Sequence, residues 1–245
     1  MFERPHHQSV ARVLHALNGP LLRENNCLFG GGTLIALRHG EYRESVDIDF
    51  MVSDLAGYRT LRHLLTGSRG IATIVRRDAM PLKESRELRA DQYGIRTALL
   101  VGERPIKFEI VLEGRVALAM PTASDEICGI ATLTPLDMVT GKLLANSDRW
   151  ADDAAFSRDL IDLAMMSPPL GLLRKAVEKA EQAYGRSILR DLEQAIDRMQ
   201  HRDEWLDRCM QALAMSLPKA RIWQRIRALR RILPSRGQSA NSRQG

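Results

Sequence analysis

Residues 46–52, VDIDFMV, place two carboxylates inside an otherwise apolar run. Apolar runs of this length form strands, and strand side chains alternate between faces. Asp47 and Asp49 stand two apart, so they project side by side, with Ile48 and Phe50 turned the other way. Two carboxylates that close repel each other and cost stability unless a cation lies between them. Hard cations such as magnesium take oxygen ligands, commonly one or two carboxylates plus substrate phosphates.

A glycine run, Gly30, Gly31 and Gly32, precedes this strand and ends in Thr33. Glycine lets backbone approach a ligand closely and adopt positive φ. Leu34, Ile35 and Leu37 follow with helical spacing. Free N–H groups at the start of such a helix, aided by its dipole, make an anion site. Thr33 is expected to cap that helix or to donate its hydroxyl to a phosphate. An anion cradle joined to a carboxylate pair suggests a metal–nucleotide site. No Gly-Lys-Ser/Thr follows, which excludes the Walker A loop, and Gly-x-Gly-x-x-Gly is not met either.

The 245 residues suffice for one large domain or two small ones. Cys27, Cys128 and Cys209 are odd in number and far apart, which fits a reducing cytoplasm better than a disulfide framework. The first ten residues carry charge early without an apolar core, so no signal peptide is expected, and no run is long enough to predict a membrane span. Net charge is +6 but unevenly spread: residues 170–245 hold 16 Lys+Arg against 8 Asp+Glu. A basic C-terminal half suggests a polyanion partner, nucleic acid first among them; its bland counterpart is a solvated helical surface.

Along the chain, residues 9–22 read as an amphipathic helix, capped by Ser9 and ended or kinked by Gly19-Pro20. A short strand is expected at 27–29, a helix after Thr33 to about Gly40, a strand at 47–52, a helix at 58–65 and a strand at 72–76. Runs 94–101 and 106–112, joined by Gly-Glu-Arg-Pro, predict a hairpin. Lys107 and Glu109 share one face of its second strand, and Phe108 and Ile110 the other. Thr134 and Pro135 open a helix that carries Lys142 and runs to about Asn146. Further helices are expected at 152–166, 170–184, 187–201, 203–215 and 218–233, with a polar disordered tail at 235–245.

Gly-Gly-Thr followed by Arg43-x-Ser45-x-Asp47-Ile48-Asp49-Phe50 resembles the nucleotidyltransferase superfamily related to DNA polymerase beta. Lys107-Phe108-Glu109-Ile110, Lys142-Leu143, Arg149 and Arg158-Asp159-Leu160-Ile161-Asp162-Leu163 narrow it to the AbiEii/AbiGii toxins, including MenT-like toxins. The resemblance covers about residues 29–166. Fourteen residues separate Gly32 from Asp47, slightly more than usual, and the third acid is Glu rather than the commoner Asp.

The resemblance implies an α/β (α+β) fold, a mixed sheet flanked by helices and followed by an all-helical C-terminal region. Residues 1–130 would be the nucleotidyltransferase domain and 131–234 a helical domain completing the site. It implies magnesium-dependent transfer of a nucleoside monophosphate from an NTP to an acceptor hydroxyl. Asp47, Asp49 and Glu109 would hold two magnesium ions. Gly31, Gly32 and Thr33 would cradle phosphates, and Arg43 and Ser45 would contact phosphate or shape the turn. Lys142 would touch phosphate, although mid-helix lysines are usually solvated. Asp159 would orient Lys142 or contact the nucleotide; its plainer reading is an ion pair fixing the helix. A tRNA 3′ end is the implied acceptor, with an antitoxin protein as partner. The basic amphipathic run 219–236 is open to three readings, gripping RNA, lying on an anionic membrane or packing on the body; RNA is preferred because an NTP-using site needs an acceptor, and no membrane partner is expected. Competing functions are transfer to a small molecule (aminoglycoside-like) or protein, and non-catalytic nucleic-acid binding.

Overall fold

A computed structural model of the chain describes residues 2–234. The tail expected to be disordered, 235–245, lies outside the described residues. The expected N-terminal helix is two helices. The first, α1 (Pro5–Ala16), has proline in its opening turn, and Ser9 lies inside it, bonded to Pro5 O, rather than capping it. The second, α2 (Gly19–Glu24), is capped by Asn18, whose side chain accepts Leu21 N–H at 3.2 Å. Gly19-Pro20 therefore opens a helix instead of ending one, because proline lacks the N–H that a first turn leaves unpaired anyway.

Five strands form one mixed sheet. They are β1 (Leu28–Gly30), β2 (Ile48–Val52), β3 (Lys83–Ala90), β4 (Gly94–Val101) and β5 (Arg104–Leu112), in the order β1-β2-β5-β4-β3. Only β2 and β5 run parallel; the other pairs are antiparallel. Ile48, Phe50, Val52, Ile95, Leu99, Ile106, Phe108 and Ile110 make one face apolar and buried, with Thr97 a buried polar exception whose hydroxyl donates to Arg86 O. The rings of Phe29, Phe50 and Phe108 run across it at centroid separations of 5.7 and 5.6 Å. Between β1 and β2 lies α3 (Gly31–Arg38), and after β2 comes α4 (Leu55–Thr66), capped by the Asp54 carboxylate. The hairpin turn is tighter than its composition suggested: Val101 already pairs with Arg104, so Pro105 belongs to β5.

Two expectations fail in the next stretch. Residues 70–74 form a single 3-10 turn where a strand was expected at 72–76, and Val75 makes only an isolated bridge to Leu17. The edge strand β3, KESRELRA, was missed because it has no apolar alternation to read. A two-residue ladder, β6 (Glu126–Ile127) with β7 (Ile130–Ala131), leads back to the sheet, where Leu133 N–H donates to Phe29 O at 2.9 Å.

Helices follow. Thr134 caps α5 (Pro135–Arg149), accepting Asp137 N–H at 3.2 Å, and the helix extends past Asn146 to Arg149. The continuous helix expected at 152–166 is broken. A 3-10 turn at Asp153–Ala155 ends in Phe156 and Ser157, both left-handed (φ 47° and 49°), before α6 (Arg158–Met166). Then come α7 (Leu170–Tyr184), α8 (Ser187–His201), α9 (Trp205–Ala212) and α10 (Lys219–Ala228). Among the described residues no helix is long and apolar enough to cross a membrane.

Candidate active site

The second face of the sheet is polar at its centre. Parallel pairing of β2 with β5 sets Asp49 directly beside Glu109. Asp47 sits one residue before β2, on the same side as Asp49. All three line a cleft of about 430 Å³ between this face and the helices. Across it stand Arg43, Lys142, Arg149 and Arg158, so the cleft has an acidic wall of strand residues and a basic wall borne mostly by helices.

The glycine turn closes one end. Gly31 has φ +70°, and a Cβ there would lie 2.4 Å from Asp49 Oδ2. A Cβ on Gly32 would lie 2.2 Å from an Arg43 guanidinium nitrogen. Side chains at these positions would occupy the space of the acid and the cation, which is the physical reason for glycine. The first N–H groups of α3 have no acceptor within their own helix, and both glycines border the cleft.

Thr33 departs from its expected role. It is buried, its hydroxyl donates to Asp47 O at 2.5 Å and bonds Ser45 Oγ at 2.9 Å, and it neither caps α3 nor lines the cleft. The cap position belongs to Gly30. Thr33 and Ser45 thus pin the backbone that delivers Asp47. Ser45 borders the cleft, and its N–H donates to Nε2 of buried His7 at 3.2 Å, whose Nδ1 faces Glu41 at 2.7 Å. His7 therefore carries its proton on Nδ1, and its pKa lies below the usual value chiefly because it is buried.

On the basic wall, Lys142 is held between two aspartates, Asp159 Oδ1 at 2.9 Å and Asp162 Oδ2 at 2.7 Å. Burial alone would lower its pKa, but these neighbours raise it and keep it charged. Arg149 grips Asp159 with two bonds, of 2.6 and 3.0 Å. Arg43 grips Asp162 likewise, at 2.7 and 2.9 Å, and the Tyr42 hydroxyl donates to the same carboxylate. Burial opposes ionisation of both aspartates, yet the facing cations hold them below the ordinary carboxylate range. Asp159 lies outside the cleft lining and orients Lys142 and Arg149 from behind. Asp162 and Tyr42 escaped the sequence-based site because their polar groups resemble ordinary loop and helix residues until the fold joins them. For Asp162 the signals were its place in the motif Arg158-Asp159-Leu160-Ile161-Asp162-Leu163 and its i, i+3 spacing from Asp159.

The acidic wall is uncompensated at its centre. Asp47 and Asp49 have no hydrogen-bond or ion-pair partner through their carboxylates among the described residues. The Asp49 carboxyl is pushed up to about 6 by burial first and then by Asp47, with Glu109 adding to it. Glu109 is occupied differently: Lys107 Nζ lies 2.7 Å from one oxygen and Arg96 Nε 3.2 Å from the other. Among the described residues no three His, Cys, Asp or Glu side chains converge tightly enough to enclose a metal ion. A buried, like-charged and unpartnered pair such as Asp47 and Asp49 nevertheless fits a divalent cation, which needs only one or two protein carboxylates when phosphates supply the rest. Glu109 can join them only by leaving Lys107 and Arg96.

A family model described as "Nucleotidyl transferase AbiEii toxin, Type IV TA system" matches residues 13–230. The chain belongs to this family. As an AbiEii member it is a nucleotidyltransferase. No curated protein is significantly similar to this AbiEii chain in sequence. Two solved structures share its fold. One is a candidate nucleotidyltransferase from H. pylori, with TM-score 0.51 and 14% identity, covering 93% of this chain and 94% of that one. The other is JHP933 from Helicobacter pylori, with TM-score 0.53 and 13% identity, covering 95% of each.

Several cations of the basic C-terminal stretch of this AbiEii chain, α10 and the 3-10 turn Leu229–Ile232 that follows it, are committed to packing. Arg225 donates to Met165 O, Arg230 pairs with Asp197, and Arg231 donates to Pro168 O. Lys219 pairs with Asp207 at its surface end. Arg221 and Arg227 have no hydrogen-bond or ion-pair partner among the described residues.

Proposed function

We propose that this chain is a cytoplasmic toxin that transfers a nucleoside monophosphate from an NTP to the 3′ hydroxyl of an RNA, a tRNA end by preference, and is countered by an antitoxin protein. The observation that carries the reading is the divided cleft. An unpartnered carboxylate pair faces buried, permanently charged Lys142 and Arg43 across a glycine turn. A triphosphate bridging the two walls would satisfy both.

Asp47 and Asp49 would hold magnesium, with Glu109 joining them. Held there, magnesium would neutralise phosphate charge and stabilise the charge that develops in the displacement. The glycine turn and Arg43 bind the distal phosphates through N–H groups. Lys142, locked by its two aspartates, meets the charge that develops on the transferring group without reorganising, and such preorganised charge is the main resource of phosphoryl-type catalysis. Glu109, freed from Lys107, accepts the acceptor hydroxyl proton. The acceptor oxygen bonds to the α-phosphorus, the bond from that phosphorus to the bridging oxygen breaks, and pyrophosphate leaves.

The test is incubation of the purified chain with magnesium, each labelled NTP in turn and total tRNA, beside Asp47→Ala/Asp49→Ala. Label entering RNA with the unmutated chain alone bears the proposal out. A folded chain that labels no RNA with any NTP defeats it and turns attention to small-molecule or protein acceptors.

A further inference from the structure

The face that carries Asp49 and Glu109 does not stop at β5. Antiparallel pairing continues it outward: Glu109 faces Arg96 on β4, and Arg96 faces Arg89 on β3. A parallel row runs from Lys107 through Ala98 to Arg86, and Leu100 faces Lys83. Lys83, Arg86 and Arg89 stand three apart in sequence, so a regular strand would send them to alternate faces. Register shifts between Glu84 and Arg86 and between Arg86 and Arg89 undo that alternation. A bulge re-aims side chains in this way. All three cations therefore share the face of the catalytic acids, and all three are exposed. None has a hydrogen-bond or ion-pair partner through its side chain among the described residues. Glu84 turns to the opposite face, where it accepts Ile71 N–H at 2.9 Å, leaving Glu87 as the exposed acid of the strand.

We propose that this open face of β3 and β4 receives the phosphate backbone of the acceptor RNA on Lys83, Arg86 and Arg89, and leads its 3′ end past Arg96, which is held by Asp91 and Glu109, to Glu109. The assignment rests on the RNA-acceptor reading above. Strand spacing puts the Arg89 position about 14 Å from that of Asp49, across three inter-strand steps, so the track begins beside the site. Charges on an edge strand also guard against pairing with foreign sheets. That duty does not require two bulges that bring every cation to one face. In the basic C-terminal stretch, Arg225, Arg230 and Arg231 are committed to internal acceptors, which leaves Arg221 and Arg227 as its unpartnered arginines among the described residues.

The experiment measures binding of the full chain to unfractionated tRNA across a salt series, together with label transfer and NTP binding. Arg86→Gln/Arg89→Gln should weaken RNA binding about tenfold or more. It should also flatten the log–log salt dependence by about 1.4, as expected for two lost contacts to a single strand. NTP binding reports that the variant is folded. Unchanged affinity and slope, in a chain whose parent labels RNA, overturn the surface while leaving the function standing. Arg221→Gln/Arg227→Gln carrying the loss instead overturns it in favour of the helices. A parent chain that labels no RNA removes the acceptor reading and this surface with it. Should the double variant lose NTP binding as well, Arg89→Gln alone decides the question with about half the slope change.

Discussion

Asp162 is the residue on which the basic wall turns. Its carboxylate, fully buried, joins Arg43, Lys142 and Tyr42. Removing it leaves Arg43 buried without its carboxylate and Tyr42 without its acceptor, while Lys142 keeps Asp159, and breaking a buried pair costs about 3–5 kcal/mol. Asp162→Ala is therefore expected to lower the urea midpoint sharply. Lys142→Ala leaves Asp159 and Asp162 paired with arginines, so stability should fall less while label transfer drops about a hundredfold or more. Should the two substitutions trade places, with Lys142→Ala the destabilising one, Asp162 is not the hub that holds the wall together. Asp49 behaves in the opposite sense. Its carboxyl is raised from 3.8 to about 6 by burial and by Asp47, so its contribution to stability is present below pH 4 and lost as pH rises through 6. In chelator, Asp49→Asn should be more stable than the parent chain at pH 7.5, by about 3 kcal/mol, and match it near pH 4, read as urea midpoints at the two pH values. Gly31→Ala, at φ +70° and against Asp49, should destabilise the chain by about 1–3 kcal/mol and abolish transfer.

Elements differed in how plainly the sequence announced them. The carboxylate strand, the hairpin of β4 and β5, and α5 with its Thr134-Pro135 opening were legible because each pairs a clear period with a stop or start signal. α7 and α8 were legible to the residue for the same reason. The edge strand β3 was not, since charge alternation on an open edge leaves no apolar stripe. The run at 72–76 looked like a strand, but only Val75 found a partner. The acids at 47 and 49, Glu109, the glycines, Arg43 and Lys142 could all be named in advance. Thr33 was misread because its hydroxyl, expected to meet phosphate, is consumed by Asp47 O. At this scale Thr134→Ala should cost about 1 kcal/mol, read in thermal melts, with transfer unchanged in rate at temperatures where the chain stays folded.

For the molecule as a whole, the surplus of positive charge in residues 170–245 is only partly available to a partner. Lys219, Arg225, Arg230 and Arg231 fasten the C-terminal stretch to its neighbours, while Lys83, Arg86 and Arg89 stand unfastened on the sheet face that carries the acids. Charge composition reports how much positive charge a chain holds and is silent on which acceptors the fold supplies. Binding of magnesium and NTP should stabilise the folded chain by about 2.7 kcal/mol at a hundredfold excess over Kd, and Asp47→Ala/Asp49→Ala should erase that gain. A gain that persists in the double variant would place the nucleotide elsewhere.

The cleft draws its walls from nearly the full length of the chain: the glycine turn and acids come early, Lys142 and its aspartates in the middle, and Ala212 and Leu213 close the rim. A ribosome making this chain therefore holds an unfinished cleft until residue 213 has left the exit tunnel. The order of synthesis itself delays the moment at which the cell that makes the toxin is exposed to it.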